Sequence, residues 1–257
     1  TRRPMAQGLQ GRVALVTGGS RGIGRAISLA LAEDGADVAV NFRRDQEAAD
    51  EVVAQIESMG RRARTYRASI DSCDEDRDMV EAVVADLGPV DILVNNAGIA
   101  SRGLSIADTD PAELERVVRA HALGPHQLCK LVLPGMRSRP RGDVIMISST
   151  ATAFMAANGA PYNMGKAAME ALALTLAKEE RGNGIRVNVV APGLVETEMG
   201  RRLVRAMGVE DIGTMAARSP FGRVCQPSDV AAVVRFLVSE PAGYLSGQRI
   251  GVDAGTT

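Results

Sequence analysis

One pattern constrains this chain more than any other: short aliphatic runs alternate with longer amphipathic segments almost from end to end. Val13–Thr17, Val38–Phe42, Ala63–Tyr66, Asp91–Asn95, Asp143–Ser148, Ile185–Ala191 and Gln248–Val252 have the length and aliphatic content of strands. Gly22–Asp34, Asp45–Met59, Asp74–Leu87, Pro161–Arg181 and Asp229–Ser239 read as the helices between them. A further helix is expected from Asp110 as N-cap, with Pro111 at the first helical position and Glu113 closing a capping box, running to about Met136. Alternating units with short connections imply an α/β fold: a doubly wound, parallel, seven-stranded, Rossmann-like sheet with right-handed crossovers. No linker or repeat interrupts the pattern, so residues 1–257 are read as a single domain, with residues 1–10 a loose N-terminal extension.

Composition supports that architecture. Hydrophobic residues make up 46% of the chain but aromatics only 3%, so the core must be aliphatic, as in strands buried on both faces. A net charge of −1 gives no reason to expect nucleic acid or a membrane surface as partner. Cys73, Cys129 and Cys225 lack pairing or ligand spacing, and His121 and His126 do not complete a metal set, so no metal is expected. No run is apolar enough to span a bilayer, and Thr1–Met5 lacks a signal-like core, which makes the cytoplasm the expected compartment.

The segment Thr17–Gly24 (TGGSRGIG) lies between the first strand and its helix. Glycines there permit a tight turn and let N–H groups approach a pyrophosphate at the helix N-terminus. The spacing is Gly-x3-Gly-x-Gly rather than Gly-x-Gly-x2-Gly, and a strand–helix turn needing positive φ would also use it. Strand two ends Asn41-Phe42-Arg43-Arg44, without the acid that would hold a ribose 2′-hydroxyl. Arg21 and Arg43 are therefore expected to converge on a 2′-phosphate, which favours NADP(H) as cofactor; solvated surface arginines are the plainer alternative.

Tyr162 and Lys166 stand four apart near the start of the long helix and share a face. Only Lys130, Lys166 and Lys178 are lysines, so the pair carries more weight than usual. A phenol needs a neighbouring cation to favour phenolate near neutrality, and a compact ammonium supplies it while also reaching a ribose. Ser148 and Ser149 end strand five at the carboxyl edge of the sheet, where either would reach a substrate carbonyl or merely cap the backbone.

Together these residues resemble the short-chain dehydrogenase/reductase family. The motifs are Thr17–Gly24, Asn95-Asn96-Ala97-Gly98, Ser149 thirteen residues before Tyr162, Tyr162–Lys166 (YNMGK), Pro192-Gly193 with Thr197, and Val252–Gly255, in order over about 240 residues. Within the family the chain is most similar to the 3-oxoacyl-acyl-carrier-protein reductases of fatty acid biosynthesis.

The resemblance implies an NADPH-dependent oxidoreductase acting on a carbonyl or alcohol. Tyr162 is then the proton donor, Lys166 lowers its pKa and holds the nicotinamide ribose, and Ser149 steadies the substrate carbonyl. Gly18, Ser20, Arg21, Gly22, Ile23, Gly24, Arg43, Asn96, Ala97, Gly98, Pro192, Gly193 and Thr197 would form the cofactor cleft. His121 stands where the family has an Asn that holds a proton-relaying water, so it would relay protons itself or simply hydrogen-bond a carbonyl. Ser69 occupies the place of an Asp that touches adenine, with Asp71 two residues late.

Leu194–Pro220, with Met199, Met207 and Met215, is expected to cover a medium-sized, partly apolar small-molecule substrate, with Phe154 and Met155 as the other wall. Arg137, Arg139, Arg141 and Lys178 would meet an acidic acyl carrier protein, or form a solvated basic loop. The resemblance also implies a homotetramer built on Asp110–Met136 and Pro161–Arg181. Two other functions fit the same scaffold: a dehydrogenase of sterols, polyols or xenobiotic alcohols, and a non-catalytic NADP-binding regulator.

Overall fold

A computed structural model describes residues 8–257. Its strands are β1 (Val13–Val16), β2 (Asp37–Phe42), β3 (Ala63–Arg67), β4 (Ile92–Asn95), β5 (Gly142–Ile147), β6 (Ile185–Pro192) and β7 (Arg249–Val252). They form one sheet in the order β3-β2-β1-β4-β5-β6-β7, every neighbouring pair parallel. The helices are α1 (Gly22–Glu33), α2 (Gln46–Ser58), α3 (Cys73–Asp86), α4 (Pro111–Val118), α5 (Gly124–Met136), α6 (Ala151–Phe154), α7 (Ala160–Glu180), α8 (Glu198–Ala206) and α9 (Pro227–Val238).

Alternation along β1 divides the core. Ala14 and Val16 pack with Ile27 and Leu31 of α1 and Val230 and Val234 of α9. Val13 and Leu15 face the other layer, with Val83 of α3, Leu128 of α5 and Met169 of α7. Helices on both faces leave β1, β2, β4, β5 and β6 buried throughout, while the edge strands β3 and β7 are partly exposed, and the order reverses between β1 and β4, which opens a crevice at the carboxyl edge.

The opposite edge is closed by charge. Asp143 is buried at the start of β5 between Arg12 at 2.8 Å, Arg186 at 2.6 Å and Arg141 at 3.3 Å. Asp91, also buried, takes Arg139 at 2.7 Å and the Val13 N–H at 2.8 Å.

Four sequence expectations change at the level of elements. Residues 1–7 lie outside the described residues, but Leu9 of the expected loose extension is 2% exposed and belongs to the core. The box at Asp110 does not close. Asp110 accepts the Ala112 N–H, while Glu113 is buried and instead takes the Arg102 N–H and faces its guanidinium. A reciprocal box forms at Gln226 and Asp229 and starts α9 two residues earlier than expected. The helix expected from Asp110 to Met136 is broken in register by a π turn, Arg119–Leu123. Pro125 has no N–H to return to the His121 carbonyl, and Gly124 bonds five residues back to Arg119.

Among the described residues no helix is long and apolar enough to cross a membrane.

Candidate active site

The glycine loop follows β1, and its conformation explains its composition. Gly18 and Gly22 have φ of +60° and +54°, a region that β-carbons disfavour. A Cβ on Gly24 would lie 2.1 Å from the Gly18 carbonyl oxygen, so helix and loop approach closely only because it is absent. Arg21 sits in extended backbone at the N-cap of α1 and provides no side-chain cap, which leaves the first-turn N–H groups of Gly22, Ile23 and Gly24 open to an anion. Ser20 is buried in the loop, and Ile23 packs back against the core.

Asn95–Gly98 fastens this loop from the next strand. The Asn96 amide donates to the Thr17 carbonyl at 2.8 Å, and the Thr17 hydroxyl accepts the N–H groups of Asn96 and Ala97, each at 2.9 Å. Asn41 accepts the Gly18 N–H at 3.1 Å and donates to the Tyr66 and Ala68 carbonyls, tying the ends of β2 and β3 to the loop.

Beyond it, Ser69, Ile70 and Asp71 line a pocket with Asn41, Arg43, Ala97 and Gly98. Ser69 donates to Asp71 at 2.5 Å, so both candidates for the adenine contact occupy one site. A neighbouring open cleft of ≈310 Å³ is lined by Arg43, Arg44 and Arg67 together with Ser69, Asp71 and Glu75. Arg44 and Arg67 were missed. Arg67 is brought there by its register opposite Phe42, which no local pattern announces. Arg21 does not converge on this cleft with Arg43, because its guanidinium faces Glu198 on α8 at 3.4 Å.

At the other end, Pro192 closes β6 and Gly193 donates to the Val252 carbonyl. Thr197 caps α8 through the Gly200 N–H, and its methyl lies 3.3 Å from where a Cβ on Gly22 would be. The excursion therefore begins against the glycine loop.

Between these ends stand the chemical groups. Ser148 is buried and donates to Glu170 at 2.6 Å, which removes it as a substrate contact. Ser149 is half-buried, accepts the Ala151 N–H at 3.2 Å, and stands beside the Tyr162 phenol, whose ionised form it favours.

Lys166 is buried and donates to the Ile147 carbonyl at 2.6 Å, with Nζ 5.8 Å from the Tyr162 ring centre. Burial lowers its pKa to about 7, opposed by the negative charge of Glu170. With its own pKa at about 7, Lys166 is already neutral where a phenol titrates and does not bring it down there. Burial is the larger influence and pushes the Tyr162 pKa up, with only Ser149 opposing, so the phenol is held protonated.

His121 sits on the π turn, 1% exposed, with its ring edge-on to Tyr162 at 5.1 Å and 80°. Burial first, and the Lys166 charge second, take its pKa to about 3. The expectation of a relay titrating near neutrality is therefore corrected: the imidazole is neutral around neutral pH. Its Nε2 meets the Ile99 carbonyl at 2.8 Å and the Ile99 N–H at 3.3 Å, and Nδ1 is buried with no partner. The ring fits because Gly98 and Gly165 lack side chains; Cβ atoms there would lie 2.4 Å from its Cε1 and 2.9 Å from its Cβ.

Apolar side chains stand exposed on the two segments that follow β5 and β6: Phe154 and Met155 at the end of α6, and Met199, Leu203 and Met207 on and just after α8, are all more than 40% exposed. Met215 is not among them, for it packs with Val204, Ile212 and Val224 as core of the excursion. Arg137, Arg139 and Arg141 lie at the closed edge of the sheet, on Glu180, Asp91 and Asp143, far from any route to Tyr162. Each arginine is held in an ion pair with a buried acid.

A family model described as Enoyl-(Acyl carrier protein) reductase matches residues 18–257. The 3-oxoacyl-acyl-carrier-protein reductase of Thermotoga maritima is 33% identical over 96% of this chain and 98% of its own, and that of Staphylococcus epidermidis is 36% identical over 94% and 97%. This chain belongs to the short-chain dehydrogenase/reductase family. Among solved structures, the NADP-bound angucycline C-6 ketoreductase LanV superimposes on this dehydrogenase/reductase with a TM-score of 0.88 at 34% identity, covering 98% of this chain and 97% of its own. The reductase LugOII, which catalyses keto-reduction at C1 in lugdunomycin biosynthesis, gives 0.87 at 35%, with 97% and 99% covered. The protein is thus an oxidoreductase that acts on a carbonyl or the matching alcohol of a small molecule.

Proposed function

We propose that this protein is an NADPH-dependent carbonyl reductase whose substrate is a 3-oxoacyl thioester, with Tyr162 as proton donor. The observation that carries the reading is the placement of the Ser149 hydroxyl and a protonated Tyr162 phenol side by side at the carboxyl edge, with Lys166 behind them.

The residues present fit the cofactor. The open first turn of α1, brought up by a turn in which Gly18 and Gly22 take positive φ, suits a pyrophosphate. Ser69, Asp71, Asn96, Ala97 and Gly98 suit the adenosine side, and Arg43 with Arg44 and Arg67 suits a 2′-phosphate. Pro192, Gly193, Thr197, Tyr162 and Lys166 border the nicotinamide side, and the presence of NADP in LanV supports the choice. When bound, the reduced cofactor supplies a hydride.

The remaining chemistry belongs to the chain. Two O–H donors, Ser149 and Tyr162, converge on one acceptor, which is the geometry of a carbonyl oxygen becoming an alkoxide. Tyr162 gives its proton to that oxygen, and the Lys166 ammonium stabilises the phenolate left behind. His121 holds the Tyr162 ring by its edge and ties the turn at Ile99 without changing charge.

The exposed apolar side chains of Phe154, Met155, Met199, Leu203 and Met207 support a second reading, a larger apolar ketone of the kind that the angucycline ketoreductase LanV and the lugdunomycin reductase LugOII reduce. A fatty-acid role in the cytoplasm and assembly as a homotetramer through the half-exposed Met164 and Leu174 of α7 belong to the same proposal.

The test is oxidation of NADPH and NADH by purified protein with acetoacetyl-CoA, crotonyl-CoA and a polycyclic ketone. The expected result is NADPH-dependent turnover of acetoacetyl-CoA, none of crotonyl-CoA, and a loss of ~10²–10⁴-fold in Tyr162→Phe. Turnover of crotonyl-CoA alone, or full activity in Tyr162→Phe, overturns the reading.

A further inference from the structure

A half-buried carboxylate that the proposed chemistry does not use lies one turn beyond Lys166. Glu170 is on the same face of α7, and one of its oxygens gathers three donors: Ser148 at 2.6 Å, Thr152 at 2.8 Å and the Arg249 guanidinium at 3.1 Å. Arg249 comes from the far edge strand, β7, and its second nitrogen reaches Thr152 at 3.0 Å and the Ser149 carbonyl at 3.4 Å. The segment from Ser148 to Thr152 is thereby clasped from α7 on one side and β7 on the other. Ser149 is in the middle of that segment and has only the Ala151 N–H to hold its own side chain.

We propose that Glu170, locked by Arg249, is a positioning residue of the active site: it fixes the strand end that presents Ser149 and sets a negative charge one helical turn from Lys166. The inference rests on the carbonyl reductase reading for its kinetic consequence but not for its electrostatic one. Among the charged and titratable groups that bear on Lys166, Tyr162 and Glu170 share its helix and His121 faces it from the π turn. His121 and Tyr162 are uncharged, so among the described residues Glu170 is the counter-charge to a lysine that is otherwise shielded from water. Arg249 explains why that carboxylate stays in place rather than swinging to solvent. β7 therefore contributes to the site from the last stretch of the chain, through a contact that touches neither substrate nor cofactor.

The chain's three lysines make the electrostatic half directly measurable. Cofactor-free protein labelled at lysine Cε is titrated by NMR, with Lys130→Arg and Lys178→Arg assigning the exposed signals. In Glu170→Gln the Lys166 signal is expected to titrate about one pH unit lower than in the unsubstituted protein, and Glu170→Asp is expected to restore most of the shift. In turnover assays Glu170→Gln and Arg249→Gln are expected to lose ~10-fold in kcat with KM within about twofold, and Arg249→Lys to recover most of it. An unmoved Lys166 titration in folded Glu170→Gln, or an unchanged kcat in both Gln variants, overturns the proposal. A protein that reduces none of the carbonyl substrates but still shows the Lys166 shift supports the charge pairing and refutes the reductase reading instead.

Discussion

His121 shows how burial changes what a side chain can do. An imidazole in water titrates near neutrality, but this one has lost its water and sits near the Lys166 charge, which takes it to about 3. It therefore acts by shape and by one hydrogen bond. His121→Phe keeps an aromatic edge toward Tyr162 and loses the bond to Ile99. Its kcat is expected to fall ~10-fold while the pH profile keeps its limbs, and a lost limb would show that the imidazole does titrate in turnover.

The limb that matters belongs to Lys166, charged below its pKa of about 7 and neutral above it, so kcat for reduction is expected to fall as pH rises through that value. Asp76 is a second residue governed by burial: desolvation, with Asp71 and Glu75 nearby, pushes its carboxyl up to about 7, and one of its oxygens has no partner. A raised acid favours the fold while protonated, and that contribution is lost as pH rises through the folded value. Asp76→Asn is therefore expected to stabilise the protein by ~1–3 kcal/mol at pH 8, with the gain appearing between pH 4 and 7 in thermal melts.

The candidate site was legible where its residues sit in local motifs, as at Gly18–Gly24, Asn96–Gly98 and Tyr162–Lys166. Glu170 was within reach too, one turn beyond Lys166, had the helix been read past its motif. Arg249 and Arg67 were not, because strand register rather than sequence distance places them.

At the scale of elements, the alternation of apolar runs located all seven strands to within a residue or two, since a strand buried on both faces has little freedom in composition. It failed where an element depends on hydrogen bonds that periodicity does not encode. The π turn is one such place, set by Pro125 and by the close approach of Gly124 to the Ile70 carbonyl, where a Cβ would lie 1.9 Å from the oxygen. The excursion after β6 is another: α8 and the 3₁₀ turn Ile212–Arg218 pack on a small core of Val204, Ile212 and Val224 that is separate from the two main layers.

The ion cluster at the closed edge of the sheet belongs to this scale as well, for it joins the starts of β1, β5 and β6. Asp143→Asn removes the one acid shared by Arg12, Arg141 and Arg186 and leaves their charges crowded at a buried point. The expected cost is ~3–5 kcal/mol, read as a lower midpoint in urea, with little change in KM because the cluster is remote from the crevice. A variant as stable as the parent would show that the arginines find solvent instead.

Across the whole molecule, the two edges of the sheet divide the work. The carboxyl edge carries the glycine loop, Ser149, Tyr162 and the exposed apolar side chains after β5 and β6, and the amino edge carries most of the buried charge. That division decides where a carrier protein would have to land. A basic surface useful for docking must keep its charges free, yet Arg139 is committed to Asp91 and Arg137 to Glu180, both buried acids. Arg137→Glu and Arg139→Glu would each set a carboxylate against one of these, a repulsion that only the fold experiences. Each charge reversal is therefore expected to lower Tm by a few degrees, while leaving the ratio of KM for a carrier-linked and a free 3-oxoacyl thioester within about twofold of the parent. The measurement is that ratio taken at two salt concentrations, since docking through surface charge weakens with salt and an internal ion pair responds little. A selective, salt-sensitive rise in KM for the carrier-linked substrate alone would return the carrier to this edge, and with it the need for a path from the closed side of the sheet to Tyr162.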